Sequence, residues 1–205
     1  MVVRVPVLKQ NIYWKLIGSE TIMEYAEARQ KLEDQGWIIN AVVLDGRPGA
    51  KAVFADLPVQ MCHYHQKAIL NRYLTTKPRL EASIELRRLT SSFTKINEQK
   101  FKHILDLWYL KWSVFLKERT YQIDNPKRWH YTHRRIRSAY RSIQTNIPYL
   151  FTYQKYSNLQ IPNTTNCLDG YFSHLKELTK LHRGINRITK LKMIDEILSK
   201  TDPQK

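Results

Sequence analysis

Acidic side chains are the first thing this sequence is short of: 18 Asp and Glu stand against 34 Lys and Arg, a formal net charge of +16. Such a surplus exceeds what solubility asks for and attracts polyanions, of which nucleic acid is the commonest. Cysteine is scarcer still. Cys62 and Cys167 make up the whole complement of 2, too few for a disulfide framework or a four-cysteine zinc site, and both are expected as reduced thiols. No apolar run nears the roughly 20 residues that span a bilayer, so a membrane enzyme is not expected. The first ten residues lack the long apolar segment and cleavage site of a secretory signal, which makes the cytoplasm the expected location. Internal repeats and low-complexity tracts are missing too. What remains, 42% hydrophobic over 205 residues, is enough for a real core, and disorder is not the expected state.

The patterns that are present alternate between strand and helix. Residues 2–8 and 12–17 are β-branched and aromatic, and Lys9, Gln10 and Asn11 between them predict a β-hairpin. Thr21, with Glu24 three positions on, makes a capping box for a helix in which Ile22, Tyr25, Ala28 and Leu32 recur at helical spacing until Gly36. The run WIINAVVL at 37–44 is almost wholly apolar and predicts a strand buried on both faces in the middle of a sheet. A short helix at 50–55, a strand at 59–64 and a helix at 66–74 follow, and from 78 to 116 the spacing predicts long helices. Residues 129–144 read as one basic element, further helices are expected at 168–181 and 185–199, and 200–205 should fray. The fold class is α/β with a large all-helical insertion. It divides into a partial sheet core over 1–75, the helical insertion and basic segment over 76–160, and C-terminal core helices over 161–205.

Asp45 directly follows the apolar run, where Gly46 and Gly49 let the backbone turn and leave a carboxylate at the carboxyl end of the sheet. Ligand and metal sites favour that edge, although Asp-Gly serves equally as a plain turn. Asp169 opens a helix after NTTNCL, where a carboxylate also suits the helix dipole. Two acids converging from distant positions would bind Mg²⁺, a hard ion that prefers oxygen ligands, and such sites serve in-line phosphoryl displacement. Cys62, His63 and His65 resemble part of a zinc site, but zinc would need further ligands such as Cys167 or His174; a buried Cys62 and a hydrogen-bonded His65 are the default. Residues 127–141, KRWHYTHRRIRSAYR, carry six Lys or Arg, two His and no acid. Arg134, Arg137 and Arg141 fall on one helical face with Trp129, Tyr131 and Tyr140 interleaved, a pattern that suits phosphate contact with aromatic stacking on unpaired bases.

Taken together, VVLDGRPG at 42–49, VQMCHYHQK at 59–67, YLTTKP at 73–78, YTHRRIRSAYRS at 131–142, IPYLFTY at 147–153 and IPNTTNCLDGYFSHLK at 161–176 resemble, in family order, the Mutator-type transposases of bacterial insertion sequences, a DDE-type family. The resemblance implies a ribonuclease H-like sheet with an all-helical insertion between the second and third metal-binding acids. It makes Asp45 the second acid and Asp169 the third, and assigns Cys62 and His65 to a C-x-x-H signature near the active site. It implies Mg²⁺ or Mn²⁺ as cofactor, double-stranded DNA (transposon ends and target) as partner, a homo-oligomer, a nucleoid-associated protein, and Arg134, Arg135, Arg137 and Arg141 as strand contacts. In that family the first acid sits on a strand preceding the hairpin. With the first strand apparently missing, the central edges would lack ladder partners and the chain is expected to fold poorly and be inactive alone. The alternative is a non-catalytic DNA-binding remnant or regulator of an intact transposase.

Overall fold

A computed structural model describes residues 1–47, 49–181 and 184–199; the expected fraying of 200–205 lies outside them. The expected opening hairpin is present, formed by β1 (Val2–Val5) and antiparallel β2 (Gln10–Trp14). Its turn falls earlier than predicted. Pro6 locks its own φ and Lys9 takes a φ of +51, so the chain reverses over residues 6–9, with the Lys9 amide donating to the Pro6 carbonyl at 3.3 Å. Thr21 caps α1 (Ile22–Asp34) as the capping box requires, its hydroxyl accepting from the Glu24 amide at 3.3 Å. Ala28 and Leu32, one helical turn apart, bury against Tyr13 of the hairpin. On the other face Arg29 clamps Asp56 through two bonds of 2.6 Å each.

The predicted long central strand is corrected. Of residues 37–44 only β3 (Val42–Leu44) forms a ladder, and Ile38 is 85% exposed. Among the described residues β3 has one neighbour, the parallel β4 (Val59–Met61), with Val42 opposite Val59 and Leu44 opposite Met61. A strand is buried on both faces only where neighbouring elements cover it, and residues 37–41 have no ladder partner to hold them in place. The short α2 (Ala50–Val53) lies between these two strands in sequence.

The helical block follows as expected: α3 (His63–Leu74), α4 (Glu81–Leu89) and α5 (Glu98–Lys117), the last capped by the Asn97 side chain on the Lys100 amide at 2.9 Å. Phe93, Phe101, Leu105, Leu116, Ile143, Leu150 and Phe151 form its fully buried centre. The basic segment 129–144 is not one element. Its start pairs backwards, as β6 (Asn125–Tyr131) against β5 (Arg119–Gln122), and α6 (Arg134–Leu150) begins only after the turn. Aromatic residues on alternate positions suit a strand: Trp129 faces Tyr121 across the ladder and takes the Arg119 guanidinium 3.8 Å above its ring. The chain ends through α7 (Thr152–Lys155), α8 (Asn166–Leu181) and α9 (Arg187–Ser199). α9 returns to the hairpin, where Asn11 donates to the Leu198 carbonyl at 3.1 Å and Trp14 to Asp195 at 2.8 Å.

The fold is mixed α/β and mostly helical, with three separate two-stranded sheets among the described residues. No helix among them is long and apolar enough to cross a membrane. Strand pair and helical block meet along a buried polar seam. The Gln60 side chain donates to the Leu150 carbonyl at 3.1 Å and accepts from the Tyr153 amide at 3.0 Å, while Thr152 donates to the Val59 carbonyl at 2.7 Å. Beside it Asn146 donates to Gln66 at 2.7 Å and accepts from Lys51 at 2.5 Å. Asn146→Ala strands both partners where water replaces the lost bonds poorly, so stability should fall by about 1–3 kcal/mol, read as a lower urea midpoint with an unchanged slope.

Candidate active site at the carboxyl edge of the parallel strands

Parallel strands end at the same edge, so the residue after β3, Asp45, and the residue after β4, Cys62, leave the sheet side by side. The Cys62 amide extends the ladder by donating to the Leu44 carbonyl at 2.8 Å. Glycine suits position 46: its φ is +91, which strains other residues, and a Cβ there would push the end of the buried Met61 side chain aside. Asp45 accepts the Arg47 amide at 3.0 Å, the bond of a simple Asp turn, and remains half-buried with a second carboxylate oxygen available. Arg47 in turn binds the Glu20 carbonyl at 2.8 Å. The Tyr25 hydroxyl nearby is pushed up to about 12, first by burial and then by the charges of Glu20 and Asp45. Glu20 therefore shares the field around Asp45, a neighbour that nothing in its sequence setting marked.

The two histidines of the Cys-His-Tyr-His run part company at the start of α3. His63 turns inward, its Nε2 2.7 Å from the Leu150 carbonyl, which accepts and so fixes the proton on Nε2. Its Nδ1 is buried without a partner, and burial pulls its pKa below the ordinary 6.5. The His63 amide donates to the Asn163 carbonyl at 2.9 Å and pins the segment leading to α8 against α3.

Thr165, which sequence reasoning passed over, is the junction. Its backbone amide donates to the Cys62 sulfur at 3.3 Å, and its hydroxyl lies 3.3 Å from that sulfur, 3.5 Å from His65 Nδ1 and 3.1 Å from Asp169 Oδ2. A hydroxyl has one proton; when it goes to the carboxylate, the sulfur or the imidazole nitrogen can act as donor towards the oxygen. Asp169 sits in the first turn of α8, where the amide dipoles favour its negative charge. The structure thus gathers Cys62, His65 and Asp169 around Thr165, with Asp45 at the adjacent strand end making no direct bond to them. Among the described residues no three His, Cys, Asp or Glu side chains are grouped to hold one metal ion. Cys167 and His174, weighed as zinc ligands, are both exposed, and the Cys167 sulfur meets Arg4 at 3.4 Å.

The four arginines have different situations. Arg134 and Arg141 are exposed on α6. Arg135, though exposed, donates to the Arg72 carbonyl at the end of α3 at 2.6 Å. Arg137 is half-buried, donates to the Leu116 carbonyl at 2.8 Å and lies 3.5 Å over the Tyr131 ring. Tyr140 is core, stacked with Tyr109 at 4.9 Å. Comparison of the chain with protein-family models, with curated proteins and with solved structures gives no match.

Two expectations follow from this geometry. Gly46→Ala should lose at least about 1–2 kcal/mol from the left-handed backbone alone, before the Met61 contact is counted, as a urea titration would register. His63 stays neutral when folded, whereas the unfolded chain takes up a proton below about 6.5. Its contribution is therefore complete above that pH and lost as pH falls towards the depressed folded value. His63→Gln, which keeps a donor for Leu150, should flatten the decline in melting temperature between about pH 7 and pH 5.

Proposed function

We propose that this chain is the catalytic region of a DDE transposase, cutting and joining insertion-sequence DNA by metal-dependent phosphoryl transfer. One observation carries the reading: Asp169 is tied to Thr165, which bonds Cys62 across 103 residues of sequence, at the edge where Asp45 also leaves the sheet. Acids from remote parts of the chain converging on the carboxyl ends of parallel strands are what such chemistry requires. The motif resemblance supports it independently. A ribonuclease H-like architecture belongs to the same proposal, supported by the succession of hairpin, helix and parallel strand pair and by the helical block lying between Asp45 and Asp169.

The donors fit Mg²⁺ or Mn²⁺ in kind. Each carboxylate is half-buried and spends one oxygen on a neutral donor, Arg47 N–H or Thr165 hydroxyl, rather than on a cation. Mg²⁺ commonly takes one or two protein carboxylates, with water and substrate phosphate completing its shell. Asp45 and Asp169 would hold the ion, which when bound stabilises the entering and leaving oxygens of an in-line displacement. The rest is positioning by this chain. Thr165 aims the Asp169 carboxylate, while Cys62 and His65 hold Thr165. In the first displacement a water oxygen bonds to phosphorus, the bond to the 3′-oxygen breaks, and a 3′-hydroxyl is released. In the second that hydroxyl oxygen bonds to a target phosphorus and gives its proton to solvent, while the bond from that phosphorus to the target's own 3′-oxygen breaks and the leaving oxygen takes up a proton. Arg134 and Arg141, exposed and without protein acceptors among the described residues, would meet the strands; Arg135 and Arg137 have weaker claims because carbonyls already engage them.

The test is cleavage of transposon-end DNA with Mg²⁺ or Mn²⁺ by the product of the whole open reading frame. Asp45→Asn and Asp169→Asn should each reduce cleavage by about 100-fold or more, with DNA affinity nearly unchanged, because they remove transition-state stabilisation only. DNA binding with no metal-dependent cleavage in the unaltered protein would instead identify a binding remnant or regulator.

A further inference from the structure

A groove lined by basic side chains lies away from the two acids. It occupies about 590 Å³ between α3, the linker at 75–80 and α4, and its wall carries Lys67, Lys77, Arg87 and Arg88 with Asn71 and Ser91, but no carboxylate. We propose that this groove is a track for the sugar-phosphate backbone of DNA, an inference that takes the identity of the polyanion from the phosphoryl-transfer reading above.

The acids of α4 already have partners on α5, and none of them lines the groove. α4 carries Glu81 and Glu85 as well as Arg87 and Arg88, and both acids are used on the side facing α5. Lys111 lies 2.6 Å from Glu85 and 3.9 Å from Glu81, and the Trp112 indole donates to Glu85 at 2.7 Å. Arg88, one turn after Glu85 and within its field, keeps to the acids' side of the helix yet still lines the groove, whereas Arg87 turns to the opposite side, towards α3. There Arg87 donates to Asn71 at 3.1 Å, a neutral partner that positions the guanidinium and leaves its charge intact. Four like charges around one concavity repel each other, and a bound polyanion relieves that repulsion.

Three features select phosphate backbone over bases. The guanidiniums and ammoniums offer donors in the geometry phosphate oxygens accept, and Ser91 adds a neutral donor. No aromatic ring lines the groove, so stacking of bases has no platform there. Lys67 lies on α3 just beyond His65, so the track begins one short step along the helix that carries the Cys62 and His65 site. Binding there should be indifferent to sequence and strongly salt-dependent.

The experiment is fluorescence anisotropy of a labelled DNA duplex without divalent metal over a series of salt concentrations. It compares the unaltered chain with Lys77→Ala/Arg88→Ala and with a charge-matched control away from the groove, Lys95→Ala/Lys100→Ala; all four side chains are exposed, so the fold should persist. The groove variant should bind about tenfold more weakly, and its slope of log affinity against log salt should shrink by about 2, while the control slope shifts by less than about 0.5. Lys77→Gln/Arg88→Gln should behave as the alanine pair does. Equal losses in groove variant and control, or an unchanged slope, overturn the track and leave the phosphoryl-transfer reading standing. Tighter binding to an RNA duplex of the same sequence overturns the choice of DNA. No binding of either duplex by the unaltered chain overturns the track and the reading together.

Discussion

The carbonyl of Leu150 is the point on which the two parts of this protein are joined. It lies at the end of α6, where an α-helix runs out of its own donors, and it takes two instead from the strand side: the Gln60 amide and the His63 imidazole. Both donors are fully or almost fully buried. A helix end placed in the interior would otherwise leave an unsatisfied acceptor, at a cost comparable to a lost hydrogen bond. By meeting it, the segment from β4 into α3 is registered against the helical block, and Cys62, lying between those two side chains in sequence, has its place fixed as a consequence. The same device recurs at the periphery, where Arg135 and Arg137 satisfy the last carbonyls of α3 and α5.

Much of this was legible in the sequence, and the reasons are local. Thr21 and Asn97 cap their helices because the donors they meet are three residues away. Gly36 and Gly46 announce positive φ because no other residue takes it cheaply. Cys62, His65 and Asp169 could be singled out from motifs, and the structure gathers them.

What escaped depends on partners. Residues 37–41 have the composition of a strand, but a strand is defined by its neighbours. The basic segment looked continuous because nothing in 127–141 reveals that Trp129 and Tyr131 pair with Tyr121 and Arg119. Thr165 could not be found from its sequence surroundings, since each of its side-chain partners except Asp169 lies about a hundred residues earlier. The groove cations were overlooked for a similar reason: Lys67, Lys77, Arg87 and Arg88 belong to α3, a linker and α4, and only the packing of those segments brings them around one concavity.

The bond between Thr165 and Cys62 also constrains the order in which the molecule is made. Its two ends are 103 residues apart, and closing a flexible loop of that length costs about 4 kcal/mol of chain entropy beyond the constant term. No isolated contact of a threonine with a sulfur offsets this. The cost is met only once α3 to α6 have packed and shortened the effective path, so the gathering of Asp169 to the strand edge is a late event of folding. During synthesis the strand pair and helical block leave the ribosome before residue 165 does, and a chain caught at that stage would hold Asp45 and Cys62 but no assembled centre. The cluster around Thr165 thus waits on the helical block.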